Sequence, residues 1–485
     1  VSALVENLEA TSDVVTAVAA EHRVCPFELS LDASLWFDVV IGDYNYVFDP
    51  VVRLRRFAGD SDMILLVDEA HQLAPRVCGS LTTQLSRAEL RAAIRDAPPR
   101  IAKPLRRIDR HLRALKGTTE TGSAVTEDRS GSPGSVCIEY PQTLETALDA
   151  ALEAFGEWRR QEQTALPDVL STVYSSIWRY LRLREWFQKC AYAFVVEGKG
   201  TDRLLIARCL DAAPYLQSLW KETGACIRFS ATVSPPEIYQ ASHGIVSIQQ
   251  SSASNDVNPD PPGSFARAGS PFDPDRLRVL IVPDIDTRWR RRQQSLPDLH
   301  RLMQTLTAAK PGRYLMCFPS YQYLQQYALE ASRHPAGSCP FVPQSQGEDA
   351  AMLEVLHNEA AVVLGIVLGG TLSESIDLTD SPLAGVLVVG VAQSPPSPEL
   401  ELAAAYFDSR GLDGQLMAYI QPGMSRIVQA AGRLIRSVQH SGVIVLVDSR
   451  FLKPAWQQFF PSLWQPRTAN ACDVGPLVKE FWTNQ

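Results

Sequence analysis

The chain has 485 residues, 45% hydrophobic and 21% charged, which is typical of a globular protein with two or more domains. A formal net charge of −8 excludes a basic field over the whole surface, so any nucleic-acid-binding surface must be a local patch. The nine cysteines include no CxxC pair, which argues against a disulfide framework and favours a reducing compartment, the cytoplasm. The longest uncharged apolar run, 360–370, is too short to span a bilayer, and we expect no membrane association.

The first part of the chain reads as a short helix over 1–24, followed by two brief apolar runs. These runs, 38–41 and 63–67, predict buried parallel strands. From 79 to about 200 the pattern becomes helical, with apolar residues spaced three and four apart at Ile101, Leu105, Ile108, Leu112 and Leu115. Residues 84–116 carry ten Lys or Arg against three Asp or Glu, so this helical stretch is locally basic.

Strand-like runs return at 204–207 and 227–229, and a segment rich in Ser, Pro, Asn and Asp follows at 250–275. That segment reads as an interdomain linker. Beyond it, strand-like and helical patterns alternate, with candidate strands at 279–282, 314–318, 362–366, 386–391 and 443–447. This alternation predicts a second α/β domain with a parallel sheet.

The strongest local motif is Leu-Leu-Val-Asp-Glu-Ala-His at 65–71. Asp68 and Glu69 follow an apolar run, at the strand end where open α/β sheets bind their ligands. In nucleoside triphosphatases such an aspartate holds Mg²⁺, and the glutamate beside it can deprotonate the attacking water. We expect His71 to couple the site to the rest of the domain, although a solvated acidic turn would give the same pattern.

A second motif, Phe-Ser-Ala-Thr at 229–232, also follows an apolar run. The hydroxyl groups of Ser230 and Thr232 can bridge a carboxylate site to neighbouring elements, and a plain helix cap is the alternative. A third motif lies at 369–378, Gly-Gly-Thr-Leu-Ser-Glu-Ser-Ile-Asp-Leu. There Gly370 leaves the backbone accessible. The acidic residues Glu374 and Asp377 could respond to nucleotide or hold nearby arginines in place. An ordinary strand–helix turn is the alternative.

The fourth motif is Gln-Ala-Ala-Gly-Arg-Leu-Ile-Arg at 429–436. On a helix, Arg433 and Arg436 would share one face because they are three residues apart. Two guanidinium groups on one face suit a γ-phosphate, and Gly432 would permit close approach of a neighbouring domain. Two surface arginines on a helix are the alternative, but the spacing that also includes Gln429 favours a functional site.

The four motifs stand in the order expected of superfamily-two helicases, and longer stretches resemble the iron–sulfur family that includes XPD and DinG. The similar segments are Cys25-Pro26-Phe27, 39–50, the Asp-Glu-Ala-His box, 229–236, 317–321 and 428–436. The resemblance covers nearly the whole chain and is least secure in 79–200.

This resemblance implies an α/β fold, in which two RecA-like domains close on ATP and a helical arch is inserted in the first. It places the end of an iron–sulfur segment at 1–26 and part of the first domain at 27–78 and 200–245. The arch would occupy 79–199, a linker 246–275 and the second domain 276–485.

The resemblance also implies an ATP-dependent, monomeric enzyme that moves 5′ to 3′ on single-stranded or forked DNA. Asp68 would position Mg²⁺, Glu69 would activate water, and Arg433 and Arg436 would sense the γ-phosphate. Cys25 matches the last of four cysteines that hold a 4Fe–4S cluster.

Residues expected to bind ATP or couple it to movement are Gly370, Glu374, Asp377, Gln429, Gly432, Ser230 and Thr232. Candidate DNA contacts are Arg106, Arg107, Arg110 and Arg290, although a solvated helix start would also explain Arg290.

The chain departs from the family pattern in two places. No Gly-x-x-x-x-Gly-Lys-Ser/Thr phosphate loop occurs in it, and we expect that loop and three cluster cysteines to lie upstream of Val1. Ser375 stands where family members often have Gly. We therefore expect the 485 residues alone not to hydrolyse ATP and to expose apolar sheet surface. A non-catalytic fragment that binds nucleic acid or a partner, and an RNA helicase, stay open as alternatives.

Overall fold

The computed structural model describes most of the chain, and it divides the chain into two compact units, Val1–Gly59 and Asp60–Gln485. The described residues are 1, 4, 10–54, 57, 63–115, 136–162, 165–233, 235–245, 265–334, 339–345, 349–370 and 382–485.

The first unit consists of short helices, α1 (Ser12–His22), α2 (Pro26–Ala33) and α3 (Asn45–Phe48). Helix α1 confirms the helix predicted near the start of the chain. The strand predicted at 38–41 is wrong, since this run is not a strand and the side chain of Ile41 is 96% exposed. The described residues of this unit include no strand that could pair with the run, and an apolar sequence alone does not supply backbone partners.

Helices and strands alternate through the second unit. Its described strands are β1 (Ile64–Val67), β2 (Thr83–Ser86), β3 (Val136–Ile138), β4 (Ala191–Glu197), β5 (Leu204–Asp211), β6 (Ala225–Arg228), β7 (Leu277–Val282), β8 (Arg313–Phe318), β9 (Phe341–Pro343), β10 (Val362–Val367), β11 (Gly385–Val389), β12 (Gly442–Val447) and β13 (Pro466–Thr468). Its described helices are α4 (Leu73–Leu81), α5 (Arg87–Asp96), α6 (Pro99–Ala114), α7 (Gln142–Glu162), α8 (Asp168–Leu183), α9 (Ala213–Trp220), α10 (Pro236–Ser242), α11 (Arg292–Ala309), α12 (Tyr321–Arg333), α13 (Asp349–Asn358), α14 (Pro398–Ser409), α15 (Gln421–Gly432), α16 (Pro454–Gln457) and α17 (Val474–Thr483). No helix among the residues described is long and apolar enough to cross a membrane.

Strands β1 and β6 form a parallel pair, in register from Ile64 opposite Ala225 to Val67 opposite Arg228. Both are close to the runs from which strands were predicted, but the burial predicted for 63–67 is wrong, because Val67 is the only buried residue of β1. Their alternate side chains are not covered, since Ile64 is 64% and Leu66 is 67% exposed. The two-stranded pair therefore has an exposed apolar face.

The insertion between β1 and β6 contains the predicted helices and also a sheet that the sequence did not predict. Helix α6 is amphipathic as expected, because Ile101, Leu105, Ile108 and Leu112 are all buried. Strands β2, β5, β4 and β3 form an antiparallel sheet in that order. Residues 204–211, which we assigned to the first RecA-like domain, therefore belong to the sheet of the insertion.

The turn between β4 and β5 explains this difference. Gly198 and Gly200 adopt φ values of +71° and +60°, which favour glycine and let the chain reverse within a few residues. A Cβ atom at Gly198 would lie 2.3 Å from the backbone oxygen of Asp202. The hairpin returns β5 to the neighbouring β4 instead of sending it to a parallel sheet.

The last two hundred residues form the predicted α/β domain around a parallel sheet in the order β13-β7-β12-β11-β8-β10-β9. All five strands predicted there are present, and the short edge strands β9 and β13 were missed. Strands β10, β11 and β12 are buried along their whole length, and separate apolar clusters cover the two faces of the sheet. Helices on both faces of a buried parallel sheet are the arrangement expected of a RecA-like domain.

Candidate active site

Backbone hydrogen bonds hold the first two motifs side by side at the ends of β1 and β6. The N–H of Phe229 donates to the oxygen of Val67 over 3.0 Å, and the N–H of Ala70 donates to the oxygen of Phe229 over 3.0 Å. Between these contacts Glu69 adopts φ +46°, a left-handed conformation that costs energy for a residue with a side chain. The strained turn presents Asp68 and Glu69 side by side at the carboxyl end of the strand pair, with both residues exposed.

The side chains of the two motifs form a hydrogen-bonded cluster around Ser230. Nδ1 of His71 lies 2.7 Å from Oγ of Ser230, which in turn donates to Oε2 of Glu69 over 3.2 Å. The backbone N–H of Thr232 donates to the same hydroxyl over 3.3 Å, and the Thr232 hydroxyl lies 3.2 Å away. The expectation that Ser230 and Thr232 bridge the carboxylate site agrees with this geometry.

His71 extends the cluster to the fourth motif, because its Nε2 contacts the side-chain amide of Gln429. Burial lowers the pKa of His71, and this effect exceeds the opposing influence of Glu69 and Asp68. The imidazole is therefore neutral at pH 7 and carries one proton. The amide nitrogen of Gln429 faces Nε2 and donates to it, so the imidazole proton is on Nδ1. Nδ1–H then donates to Oγ of Ser230, and the Ser230 hydroxyl donates to Glu69.

His243 supports the same turn from behind, and sequence reasoning missed it. Its side chain is 3% exposed and lies near the backbone of Ala70. Burial, helped by the charge of Arg228, lowers the pKa of His243 to about 4. A single histidine gives no sequence signal, so only the fold reveals that His243, which follows α10, lies near the Asp-Glu-Ala-His box.

The two arginines of the fourth motif are arranged differently from the prediction. Helix α15 ends at Gly432, so Arg433 and Arg436 do not share a helix face. Leu434 and Ile435 are buried, and this turns the chain so that Arg433 is 8% exposed whereas Arg436 is exposed. The free energy gained by burying Leu434 and Ile435 outweighs the free energy that continuing helix α15 would provide.

Arg433 nevertheless lies near the carboxyl end of β8, at the sheet edge where ligands of parallel sheets bind. Burial raises the pKa of the Cys317 thiol, which lies in β8, to about 12, and the nearby positive charge of Arg433 opposes that rise. Gly432 meets no atom within 4 Å of an added Cβ, so the close approach expected there is not seen among the described residues.

Gly370 follows β10, and its N–H donates a hydrogen bond to the oxygen of Val367 over 3.2 Å. Oε1 of the buried Gln344 accepts a hydrogen bond from the N–H of Val367 over 3.0 Å, and a Cβ added to Gly370 would lie 3.3 Å from the oxygen of Val367. Glu374 and Asp377, together with Ser375, lie outside the described residues.

The candidate DNA-binding arginines are exposed. Arg106, Arg107 and Arg110 lie on α6 on the side opposite its buried apolar residues. Arg290 lies elsewhere, in a single turn of helix after β7, Trp289–Arg291. The basic side of α6 agrees with the local patch that an overall negative charge requires.

The sequence predicted two metal sites, one for Mg²⁺ and one for a 4Fe–4S cluster, and the described residues fit the first better than the second. Among the residues described, no group of three or more His, Cys, Asp and Glu could hold a metal ion by itself. The exposed carboxylate of Asp68 fits Mg²⁺, which takes one or two protein carboxylates and completes its shell with water and phosphate oxygens. Cys25 is exposed just before α2 and is the one cysteine in its unit, whereas a 4Fe–4S cluster normally needs four thiolates. The residues present therefore do not fit an iron–sulfur cluster.

Comparison with known proteins agrees with this architecture. Residues 3–90 match the DEAD_2 family model, and 303–467 match the helicase C-terminal domain. ATP-dependent DNA helicase chl1 of Schizosaccharomyces pombe is 26% identical over 209 residues, covering 39% of this chain and 25% of that protein. ATP-dependent helicase DinG of Mycobacterium tuberculosis is 27% identical over 230 residues, covering 46% of this chain and 33% of that protein.

Two further matches cover most of the chain. ATP-dependent DNA helicase chl1 of Aspergillus clavatus is 27% identical over 520 residues, covering 90% of this chain and 68% of that protein. A solved structure of an XPD helicase superposes with a TM-score of 0.59 at 20% identity, covering 94% of this chain and 77% of that one. The chain thus belongs to the XPD/DinG-like family of superfamily-two helicases. It spans a quarter to a third of the length of the Schizosaccharomyces and Mycobacterium relatives.

Proposed function

We propose that this chain provides the ATP-hydrolysing and DNA-translocating parts of an ATP-dependent DNA helicase. The observation that carries the proposal is the hydrogen-bonded series from Gln429 through His71 and Ser230 to Glu69. It joins the arginine motif of the second domain to the carboxylates of the first. A change at either motif can therefore be transmitted to the other through a neutral imidazole.

In this proposal Asp68 would hold Mg²⁺, and Oε1 of Glu69 accepts a proton from the attacking water. Mg²⁺ would neutralise charge on the phosphates when bound. The Ser230 hydroxyl, directed at Oε2, orients the Glu69 carboxylate and would leave its second oxygen to face the water. Arg433 and Arg436 stabilise negative charge on the γ-phosphate, and Gly370, Glu374, Asp377, Gln429, Gly432 and Thr232 bind the nucleotide or couple its state to movement.

DNA is the polymer along which we propose that the enzyme moves. The exposed arginines of α6, with Arg290, supply phosphate contacts, and single-stranded or forked DNA is the substrate on which a 5′ to 3′ translocating monomer would act in the cytoplasm. The name of the two chl1 relatives, ATP-dependent DNA helicase, supports DNA over RNA. The domain boundaries that go with this proposal are those expected from the sequence, with residues 200–211 transferred to the insertion. The 4Fe–4S cluster is no part of the reaction proposed for these residues.

One observation favours a second function, a non-catalytic module that binds nucleic acid or a partner. The 485 residues contain no phosphate-loop motif, and a phosphate loop supplies the backbone N–H groups and the lysine that hold the β- and γ-phosphates. We expect this chain by itself to bind DNA without hydrolysing ATP.

The test is strand displacement by the complete natural polypeptide on matched DNA and RNA duplexes, with and without ATP. We expect ATP-dependent displacement of the DNA duplex only. Equal displacement of the RNA duplex would identify an RNA helicase. Displacement of neither, with DNA binding retained, would identify the non-catalytic module and overturn the proposal.

A further inference from the structure

The insertion packs against helix α14 of the second domain. This helix contacts β3, β4 and β5, which belong to the antiparallel sheet that the sequence did not predict. Arg208 and Leu210 share one face of β5, because they are two residues apart on a strand. The guanidinium of Arg208 lies 3.7 Å from the carboxylate of Glu399 in α14, and Leu210 packs against an apolar cluster of the second domain. None of these three residues belongs to the four motifs.

Asp211, the last residue of β5, makes a second polar contact with α14. Its buried Oδ2 accepts a hydrogen bond from the Tyr406 hydroxyl over 3.0 Å, and its Oδ1 accepts from the N–H of Ala213, at the start of α9, over 2.9 Å. Nη1 of Arg410 donates to the same hydroxyl over 2.9 Å, so the hydroxyl proton points to Asp211. A buried carboxylate oxygen is costly to leave without a donor, and Tyr406 therefore holds this end of the insertion.

The two contacts align α14 with β5. Arg208 and Asp211 are three residues apart, which is about 10 Å along a strand. Glu399 and Tyr406 are seven residues apart, which is two turns and about 10 Å along one face of a helix. Strict alternation would turn Asp211 away from α14, but the pairing of β5 is irregular opposite Ala191, and such irregularities redirect side chains. Both contacts can therefore form at once, and together they prevent the insertion from rotating about either one.

Helix α14 is also packed closely against the segment that leads to α15, which carries Gln429. A Cβ added to Gly414 would clash with the backbone oxygen of Ala404 in α14, and the N–H of Gly414 donates to Oδ1 of Asp408 over 2.8 Å. A π-helical turn, Leu416–Ile420, then leads into α15 and contacts both helices. A displacement of α15 therefore displaces α14, and through the two polar contacts it displaces β5.

On the other side, β5 is attached to the basic helix α6. The guanidinium of Arg203, one residue before β5, donates to the backbone oxygens of Leu112 and Arg113 over 3.1 and 2.7 Å. Arg87 forms an ion pair with Asp109 of α6 at 2.7 Å, and its backbone N–H donates to the oxygen of Arg203 over 2.9 Å. The exposed arginines of α6 therefore move with β5.

We propose that Tyr406 couples the insertion to the second domain, so that DNA phosphates on α6 are carried along when the second domain moves during ATP hydrolysis. This inference rests on the proposed function. Tyr406 is a positioning residue, because it acts through Asp211 and is not one of the residues assigned to the ATP site. Without its hydroxyl the ATP site keeps all of its residues, but the motion of α15 is no longer fully transmitted to α6. ATP hydrolysis and strand displacement are then affected differently.

The first test compares Tyr406→Phe with wild type in the complete natural polypeptide, measuring ATP hydrolysis with saturating single-stranded DNA and strand displacement in parallel. We expect an unchanged rate of hydrolysis and about tenfold less strand displaced for each ATP, the size of effect that loss of a hydrogen bond to a charged group can have. Tyr174→Phe, at a partly exposed tyrosine of α8, is the control and should change neither rate. An equal fall in both rates, or no change in either, would overturn the proposal.

Hydrogen exchange in the 485-residue chain tests the contact without ATP or DNA, so its failure is distinguishable from failure of the proposed function. Tyr406→Phe should speed exchange in the peptide that contains Asp211 and the N–H of Ala213, by roughly tenfold, because the carboxylate is no longer held from α14. Exchange in β11 should stay as in wild type. Unchanged exchange at 211–213 would show that Tyr406 does not hold the insertion.

A charge reversal at the second contact provides an independent variant at an exposed position. Arg208→Glu places a carboxylate opposite Glu399, and it should lower strand displacement without lowering ATP hydrolysis. The double variant Arg208→Glu with Glu399→Arg should recover displacement, because opposite charges again face each other. Displacement that stays low in the double variant, or that is unchanged by Arg208→Glu, would contradict coupling through α14.

Discussion

Gln429 and His71 are 358 positions apart in the chain, yet their side chains are hydrogen-bonded to each other. His71 belongs to the Asp-Glu-Ala-His box, and Gln429 belongs to the Gln-x-x-Gly-Arg-x-x-Arg motif. The other ring nitrogen of His71 contacts Ser230, so a single imidazole connects three of the four motifs. Arrangements in which one side chain serves several motifs are expected to show energetic coupling.

That coupling is measurable in the 485-residue chain by a double-mutant cycle on the free energy of unfolding. We expect His71→Ala and Gln429→Ala each to cost about 1–3 kcal/mol, because the partner is left with an unsatisfied polar group. Their effects should fail to add by roughly 0.5 kcal/mol or more. Gln421→Ala, which removes a hydrogen bond to Ser425 on the same helix, should add with His71→Ala. Additive effects of His71→Ala and Gln429→Ala would show that the hydrogen bond between them carries no energy.

The different burial of the two arginines predicts different consequences of removing them. In the complete natural polypeptide, either Arg433→Ala or Arg436→Ala should lower DNA-stimulated ATP hydrolysis by roughly 10³-fold, as loss of an arginine finger does. Arg433→Ala should also lower the midpoint of thermal unfolding, because Arg433 is buried, and Arg436→Ala should not. Arg410→Ala, at an exposed arginine on α14's C-terminal side, is the matched control. An ATPase rate within a few fold of wild type would remove the phosphate-sensing role from the residue concerned.

The basic side of α6 predicts a salt dependence. Replacing Arg106, Arg107 and Arg110 by Ala should weaken binding of single-stranded DNA, because fewer counterions are released when the DNA binds. The slope of log affinity against log salt should fall by about 0.7 for each DNA phosphate that is no longer neutralised. Replacement of Arg159 and Arg160, exposed near the end of α7, provides the control on a neighbouring helix. An unchanged slope in the α6 variant would mean that these arginines only face solvent.

His243 predicts how the stability of the chain depends on pH. Its pKa is about 4 in the folded chain against an ordinary value of 6.5, so between these values the unfolded state binds more protons. The contribution of this group is fully present above about pH 6.5 and is lost as pH falls toward 4, up to about 3 kcal/mol. Denaturant unfolding between pH 7 and pH 5 should show the loss. His243→Gln should reduce it, and His334→Gln, at an exposed position, should not. Equal slopes in wild type and His243→Gln would contradict a neutral buried imidazole.

Local patterns in the sequence were sufficient for much of the fold. Strand β1 with its two carboxylates, the amphipathic α6 and the five strands of the second sheet were all predicted, because period and apolar content are properties of short segments. The exposed face of β1 was not predicted by its apolar sequence, which indicated a buried strand. Local sequence patterns could not predict which strands pair. The hairpin of β4 and β5, for example, depends on glycine conformations and on contacts between residues distant in sequence.

The errors at the site have similar causes. The pattern of Arg433 and Arg436 was interpreted as a continuous helix, but burial of Leu434 and Ile435 ends α15 at Gly432. The run at 38–41 is apolar and yet exposed, because a strand needs a partner as well as a composition. His243 was missed because its role depends only on the backbone of Ala70, far away in the sequence.

The most direct test of the proposed ATP site is the rate of ATP hydrolysis by the complete natural polypeptide with saturating single-stranded DNA, compared between wild type and Glu69→Gln. Glutamine keeps the size of the side chain and can still contact Ser230, but it cannot accept a proton from water. We predict unchanged ATP binding with hydrolysis lowered by about 10²–10⁴-fold, while Glu237→Gln at an exposed position hydrolyses ATP at the wild-type rate. Near-normal turnover by Glu69→Gln would contradict the assignment of this site.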